Sequence, residues 1–132
     1  MTLLLDTHAL VWWLTSDKQL GRVARTAIAS SATQPWVSVA SVWEAAIKSV
    51  TGRLRLPKPP DDLLSDAALH AAGFQTMGIR SRHALIAAAL PRYHADPFDR
   101  IIIAQARVEN LRIVTADPGF DAYNVSVLDA RI

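Results

Sequence analysis

A chain of 132 residues, 51% of them apolar, is long enough to bury one hydrophobic core, which excludes disorder and predicts a single domain spanning 1–132. It has no cysteine, which excludes disulfides and thiolate metal sites and leaves oxygen or imidazole to ligate any metal. The net charge is only +2, and Met1–Leu5 has neither a basic start nor a long apolar run, so a soluble, cytoplasmic protein without signal peptide or membrane span is expected.

Thr2–Leu5 is a short continuous apolar run, as in a central strand buried on both faces, and it stops at Asp6. Ala9–Leu14 and Gly21–Ser30 read as helices, the second with Val23, Ala24, Ala27 and Ile28 at core spacing. Trp36–Val39 reads as a second strand. Ser41 then caps a helix through Glu44 to Gly52, placing Glu44 in its first turn. The proline-rich segment 53–60 is a loop with a basic face, followed by one helix, capped by Asp61 or Asp62, that ends near Gly73.

Phe74–Met77 makes a third strand, and Ser81 caps a helix from His83 to Leu90 that Pro91 stops. Asp96 is expected as the N-cap of the next helix, with Pro97 first and Asp99 third, running to about Asn110. Asp99 heads the apolar stripe of Ile102, Ile103 and Ala106, where a carboxylate requires a partner. The helix's N-terminal partial charge should help keep it ionised. Leu111–Thr115 is a fourth strand ending at the turn Asp117-Pro118-Gly119, and Val125–Val127 a fifth, at an edge.

Strands alternating with helices predict an α/β fold whose ligand crevice lies at the carboxyl ends of the strands. Asp6 and Asp117 fall at those ends, and Glu44 and Asp99 at starts of helices that begin there. Four acids crowded together repel one another unless a cation neutralises them, and oxygen ligands select Mg2+ or Mn2+. Such an ion binds phosphate oxygens and activates water, so phosphodiester hydrolysis is the expected chemistry.

The segments Leu4–Ala9, Val39–Glu44, Asp96–Arg100 with Ile103–Ala106, and Val114–Asp117 resemble, in order and spacing, the motifs of PIN-domain ribonucleases, and among them VapC-type toxins of bacterial toxin-antitoxin systems. The resemblance implies a three-layer α/β/α domain with a mostly parallel five-stranded sheet, and magnesium- or manganese-dependent RNA cleavage. It makes Asp6, Glu44, Asp99 and Asp117 the catalytic and metal-binding acids, with Thr115 orienting a ligand or water. It further implies a homodimer inhibited by a cognate antitoxin.

Beside these, Arg100 is the leading candidate for a phosphate contact or a salt bridge at the site's edge. Asp96 is assigned to the cap rather than the metal, and His8 and His94 to surface or packing roles. The tryptophans are expected in the core or a dimer interface. The competing readings are a DNA nuclease or phosphatase on the same acids, and a non-catalytic binding module.

Overall fold

The computed structural model describes residues 1–30 and 32–132. Its elements follow the expected alternation: β1 (Leu3–Leu5), α1 (Thr7–Leu14), α2 (Arg22–Ala29), β2 (Trp36–Ser38), α3 (Val39–Val50), α4 (Pro60–Leu64), α5 (Asp66–Ala71), β3 (Gln75–Met77), α6 (Ser81–Ala89), α7 (Pro97–Glu109), β4 (Arg112–Thr115) and β5 (Val127–Asp129). A 3-10 helix, Pro118–Tyr123, joins the last two strands.

The five strands lie in the order β3-β2-β1-β4-β5, and every pair is parallel. Successive side chains of a strand point to opposite faces. Leu3 and Leu5 accordingly join Leu10, Ala24 and Leu69 in one core, while Leu4 joins Ile102, Ile103 and Phe120 in the other. Leu4 and Leu5 are fully buried, and each such side chain contributes roughly 1.5–3 kcal/mol. The result is the three-layer arrangement that the sequence predicts.

The strand order reverses beside β1: the chain builds outward to β2 and β3, then returns to place β4 on the other side. At such a switch point the connections diverge and leave a crevice at the strands' carboxyl ends. Asp6 directly follows β1 and Thr115 ends β4, so both belong to that crevice.

Several boundaries differ from the sequence reading. α3 starts at Val39 with Ser38 as its cap, not Ser41, because Ser38 still pairs with Met77 in the sheet and the chain turns into the helix without a loop. Glu44 therefore sits in the second turn. The single helix expected before Gly73 is two, broken at extended Ser65, whose side chain caps α5 by accepting from the Ala68 N–H. α6 begins at Ser81 with Arg80 in the cap position, where the Arg80 N–H donates to Nδ1 of His83. The fifth strand is at the edge as expected but shifted to Val127–Asp129, since the 3-10 helix and left-handed Asn124 consume the residues before it.

Candidate active site

A cleft of about 410 Å³ opens at the switch point, lined among others by Asp6, Thr7, Glu44, Lys48, Asp99 and Asp117. The four acids come from four segments: the β1–α1 junction, α3, the first turn of α7, and the turn after β4.

Asp6 is 2% exposed. It caps α1, Oδ1 accepting from the Ala9 N–H at 2.9 Å, while Oδ2 accepts from the Thr115 hydroxyl at 2.5 Å. The Thr115 oxygen in turn accepts from the Asp117 N–H at 3.0 Å, so one hydroxyl ties the ends of β1 and β4 together. Asp6 thus has the cap role and a place in the cleft at once. Burial pushes its carboxyl above the ordinary range, against the hydrogen bonds from Thr115 and Ala9.

Glu44 is 7% exposed. Oε1 accepts from the Thr7 hydroxyl at 2.5 Å, and Oε2 pairs with Lys48 Nζ at 2.9 Å, one helical turn on. The Thr7 hydroxyl also lies 3.2 Å from that of Ser41. Both Glu44 oxygens are engaged, and Lys48 brings a cation to the rim of the acidic cleft.

Asp99 occupies the third position of α7, with Asp96 as cap accepting from the Phe98 N–H at 2.9 Å and Pro97 first, as the sequence predicts. Its surroundings act against ionisation, however. Burial first, then the neighbouring negative charge of Asp96, push its carboxyl up to about 7 despite the opposing His94. Asp6 and Glu44 add to the rise.

Asp117 is the most open of the four. Burial acts to raise its carboxyl, but the Gly119 N–H, donating to Oδ1 at 2.8 Å, and the His94 ring together hold it below the ordinary range.

Arg100 does not reach the cleft. Its Nη1 donates to the carbonyls of Pro91 and His94 at 3.0 and 3.1 Å, and Nη2 to those of Ala87 and Leu90 at 2.8 and 2.7 Å. The end of α6 leaves carbonyls without helical partners, and a planar guanidinium with several donors satisfies them. The expectation of a phosphate contact or site-edge salt bridge is corrected accordingly: Arg100 secures the α6–α7 loop.

That loop carries a residue to which the sequence reading gave a surface or packing role. His94 Nε2 lies 2.8 Å from Asp117 Oδ2 and 3.1 Å from Asp99 Oδ2. Donor atoms of His94, Asp99 and Asp117 all fall within 4.8 Å of one another. The only sequence signal was its closeness to the acids of its own segment, Asp96 and Asp99, which says nothing of Asp117. Thr7 was likewise missed as a partner in the cleft, whereas the Glu44–Lys48 ion pair is the one their i,i+4 spacing suggests. Trp12 is in the core, whereas Trp43 is 63% exposed on α3 with its ring against Phe98.

Residues 3–125 match the family model described as PIN domain. A curated relative, ribonuclease VapC22 of Mycobacterium tuberculosis, is 35% identical over 117 residues, covering 88% of this chain and 87% of its own. Among solved structures, a toxin-antitoxin complex from Klebsiella pneumoniae superposes with a TM-score of 0.68 at 20% identity, covering 98% of both chains. VapBC2 from Rickettsia felis, bound to a DNA fragment from their promoter, gives 0.71 at 12% identity over 97% of this chain and 98% of that one.

Proposed function

Because the chain belongs to the PIN domain family, we propose that it is a VapC-type ribonuclease, the toxin of a toxin-antitoxin pair, cutting RNA phosphodiester bonds at the acidic cleft. The observation that carries this reading is the convergence of Asp6, Glu44, Asp99 and Asp117 on one cleft at the switch point. The relative named as a ribonuclease supports the activity, and the neighbour described as a toxin-antitoxin complex supports an antitoxin partner.

The residues present fit a hard divalent cation. They offer carboxylate oxygens without any thiol. Two of them, Asp6 and Asp99, are held against their ionisation by burial and by neighbouring acids, which a cation would relieve. Asp6, Asp99 and Asp117, with Glu44, would hold Mg2+ or Mn2+. When bound, the ion supplies positive charge to phosphoryl oxygens and lowers the pKa of a water.

The chain's own residues prepare the rest. Thr115 and the Ala9 N–H fix the Asp6 carboxylate in one orientation, and Thr7 does the same for Glu44. Lys48 extends from the acidic cleft into an adjoining one of about 560 Å³ that also carries Arg53 and Arg55. The two clefts share Thr7, His8, Trp12, Gln19 and Lys48. An acidic pocket continuous with a basic groove suits a polyanionic strand, whose phosphates the cations hold while one phosphate reaches the acids.

A homodimer completes the proposal. Val39, Trp43, Ile47 and Val50 form an exposed apolar stripe along one face of α3, and a second copy burying that stripe against its own would remove it from water. No helix among the described residues is long and apolar enough to cross a membrane, and the proposed place of action is the cytoplasm. Incubating the protein with RNA, DNA and a phosphomonoester in Mg2+, with and without EDTA, tests the reading. EDTA-sensitive cleavage of RNA alone supports it; phosphomonoester hydrolysis, or cleavage of DNA in preference to RNA, overturns it.

A further inference from the structure

His94 lies outside the four acids, yet contacts on several sides fix it. Its backbone N–H donates to the Tyr123 hydroxyl at 2.5 Å, and that hydroxyl donates to the Pro91 carbonyl at 2.7 Å. Its own carbonyl accepts from Arg100 at 3.1 Å. The ring stands edge-on to Phe120, with centroids 5.8 Å apart. Gly119 makes room on another side: a Cβ there would lie 3.1 Å from both the ring's Cδ2 and Asp117 Oδ1. The Asp-Pro-Gly turn and Arg100, both prominent in the sequence, therefore converge on holding one imidazole.

The orientation of that imidazole decides what it does. A histidine that ligates a metal presents a lone pair to it and carries its proton on the other ring nitrogen, which donates to a carbonyl or carboxylate. His94 faces the reverse surroundings. Its Nδ1 lies 3.3 Å from the backbone N–H of Asp96, a donor, so Nδ1 keeps its lone pair and the proton sits on Nε2. That proton points at Oδ2 of both Asp117 and Asp99, 2.8 and 3.1 Å away.

We propose that His94 is a positioning residue: its Nε2–H bridges Asp99 and Asp117, fixing the separation and direction of the two carboxylates at which the cation binds, without ligating the cation. Each of these carboxylates keeps a second oxygen and further lone pairs free of the imidazole. Partners that orient metal ligands in this way are worth about 10–100-fold in metal affinity. The inference rests on the proposed binding of a divalent cation in the cleft.

Titration calorimetry with Mn2+ alone, on wild type, His94→Ala and His94→Gln, tests it. The amide of glutamine reaches about as far as Nε2 and donates a hydrogen but makes a poor metal ligand. His94→Ala is expected to bind Mn2+ at least ten-fold more weakly, with His94→Gln recovering most of the loss. Spin-echo modulation spectra of the Mn2+-loaded wild type are expected to lack the coupling of a directly bound imidazole nitrogen. Wild-type affinity in His94→Ala overturns the proposal. So does such a nitrogen coupling, or a His94→Gln protein that keeps the wild-type circular dichroism and melting temperature but binds as weakly as His94→Ala. A wild type that binds no Mn2+ overturns the metal reading itself, which separates the two failures.

Discussion

The hydroxyl of Thr115 donates to Oδ2 of Asp6 at 2.5 Å, joining residues 109 positions apart at the carboxyl ends of adjacent strands. The same oxygen accepts the Asp117 N–H, so a single side chain sets two acids of the cleft relative to each other. Thr115→Val removes both bonds and leaves a buried carboxylate and an amide short of partners, at a cost of roughly 1–3 kcal/mol. Mn2+ affinity should fall with it, because Asp6 loses a contact that favours its charged form. Thr115→Ser, which keeps the hydroxyl, should retain most of both; thermal melts and calorimetry read the difference.

Stability of the metal-free protein should depend on pH through Asp99. Its carboxyl is raised from 3.8 to about 7 in the fold, so the folded state binds a proton that the unfolded state releases. The contribution is fully present below about pH 4 and is lost as pH rises through 7; Asp6 acts in the same direction. In EDTA, the melting temperature of wild type should thus fall between pH 5 and 8 relative to Asp99→Asn, and Mn2+ affinity should rise over the same interval. A wild-type curve parallel to that of the variant would contradict the assignment.

Arg100 should behave as a structural residue. Arg100→Lys replaces a fork of donors by a single ammonium that cannot serve the carbonyls of Ala87, Leu90 and Pro91 together. About 2 kcal/mol of stability should be lost, seen as a lower denaturation midpoint. The salt dependence of RNA binding should stay that of wild type, since no phosphate contact is removed.

The exposed stripe on α3 should govern self-association. Trp43→Glu and Val50→Glu place charge where a second copy would pack. Light scattering should give a dimer for wild type and a monomer for the double variant, with circular dichroism unchanged. A dimer that persists would place the interface elsewhere.

Local chemistry made some of this legible in the sequence. Asp96 and Pro97 start α7 through contacts within three residues, and the apolar run before Asp6 needs no partner to announce a buried strand. Where sequence reading failed, a distant residue decided the outcome. Ser38 and Ser41 are equivalent as caps, and only the pairing of Ser38 with Met77 fixes where α3 begins. Arg100 beside Asp99 looks like a site residue until the carbonyls at the end of α6 and in the loop after it compete for it. His94 enters the site through Asp117, 23 positions away, and nothing in its own segment signals that contact. The upward shift of the Asp99 carboxyl was not foreseen because burial and the charges of Asp96, Asp6 and Glu44 act on it through the folded cleft.

The most direct measurement is RNA cleavage by Asp6→Asn in Mg2+. Asparagine caps a helix as well as aspartate does, and the substitution removes a buried charge, so the variant should melt at or above the wild-type temperature. Its EDTA-sensitive cleavage should fall below detection while wild type cuts. Full activity in the folded variant would contradict the assignment of catalysis to the acidic cleft.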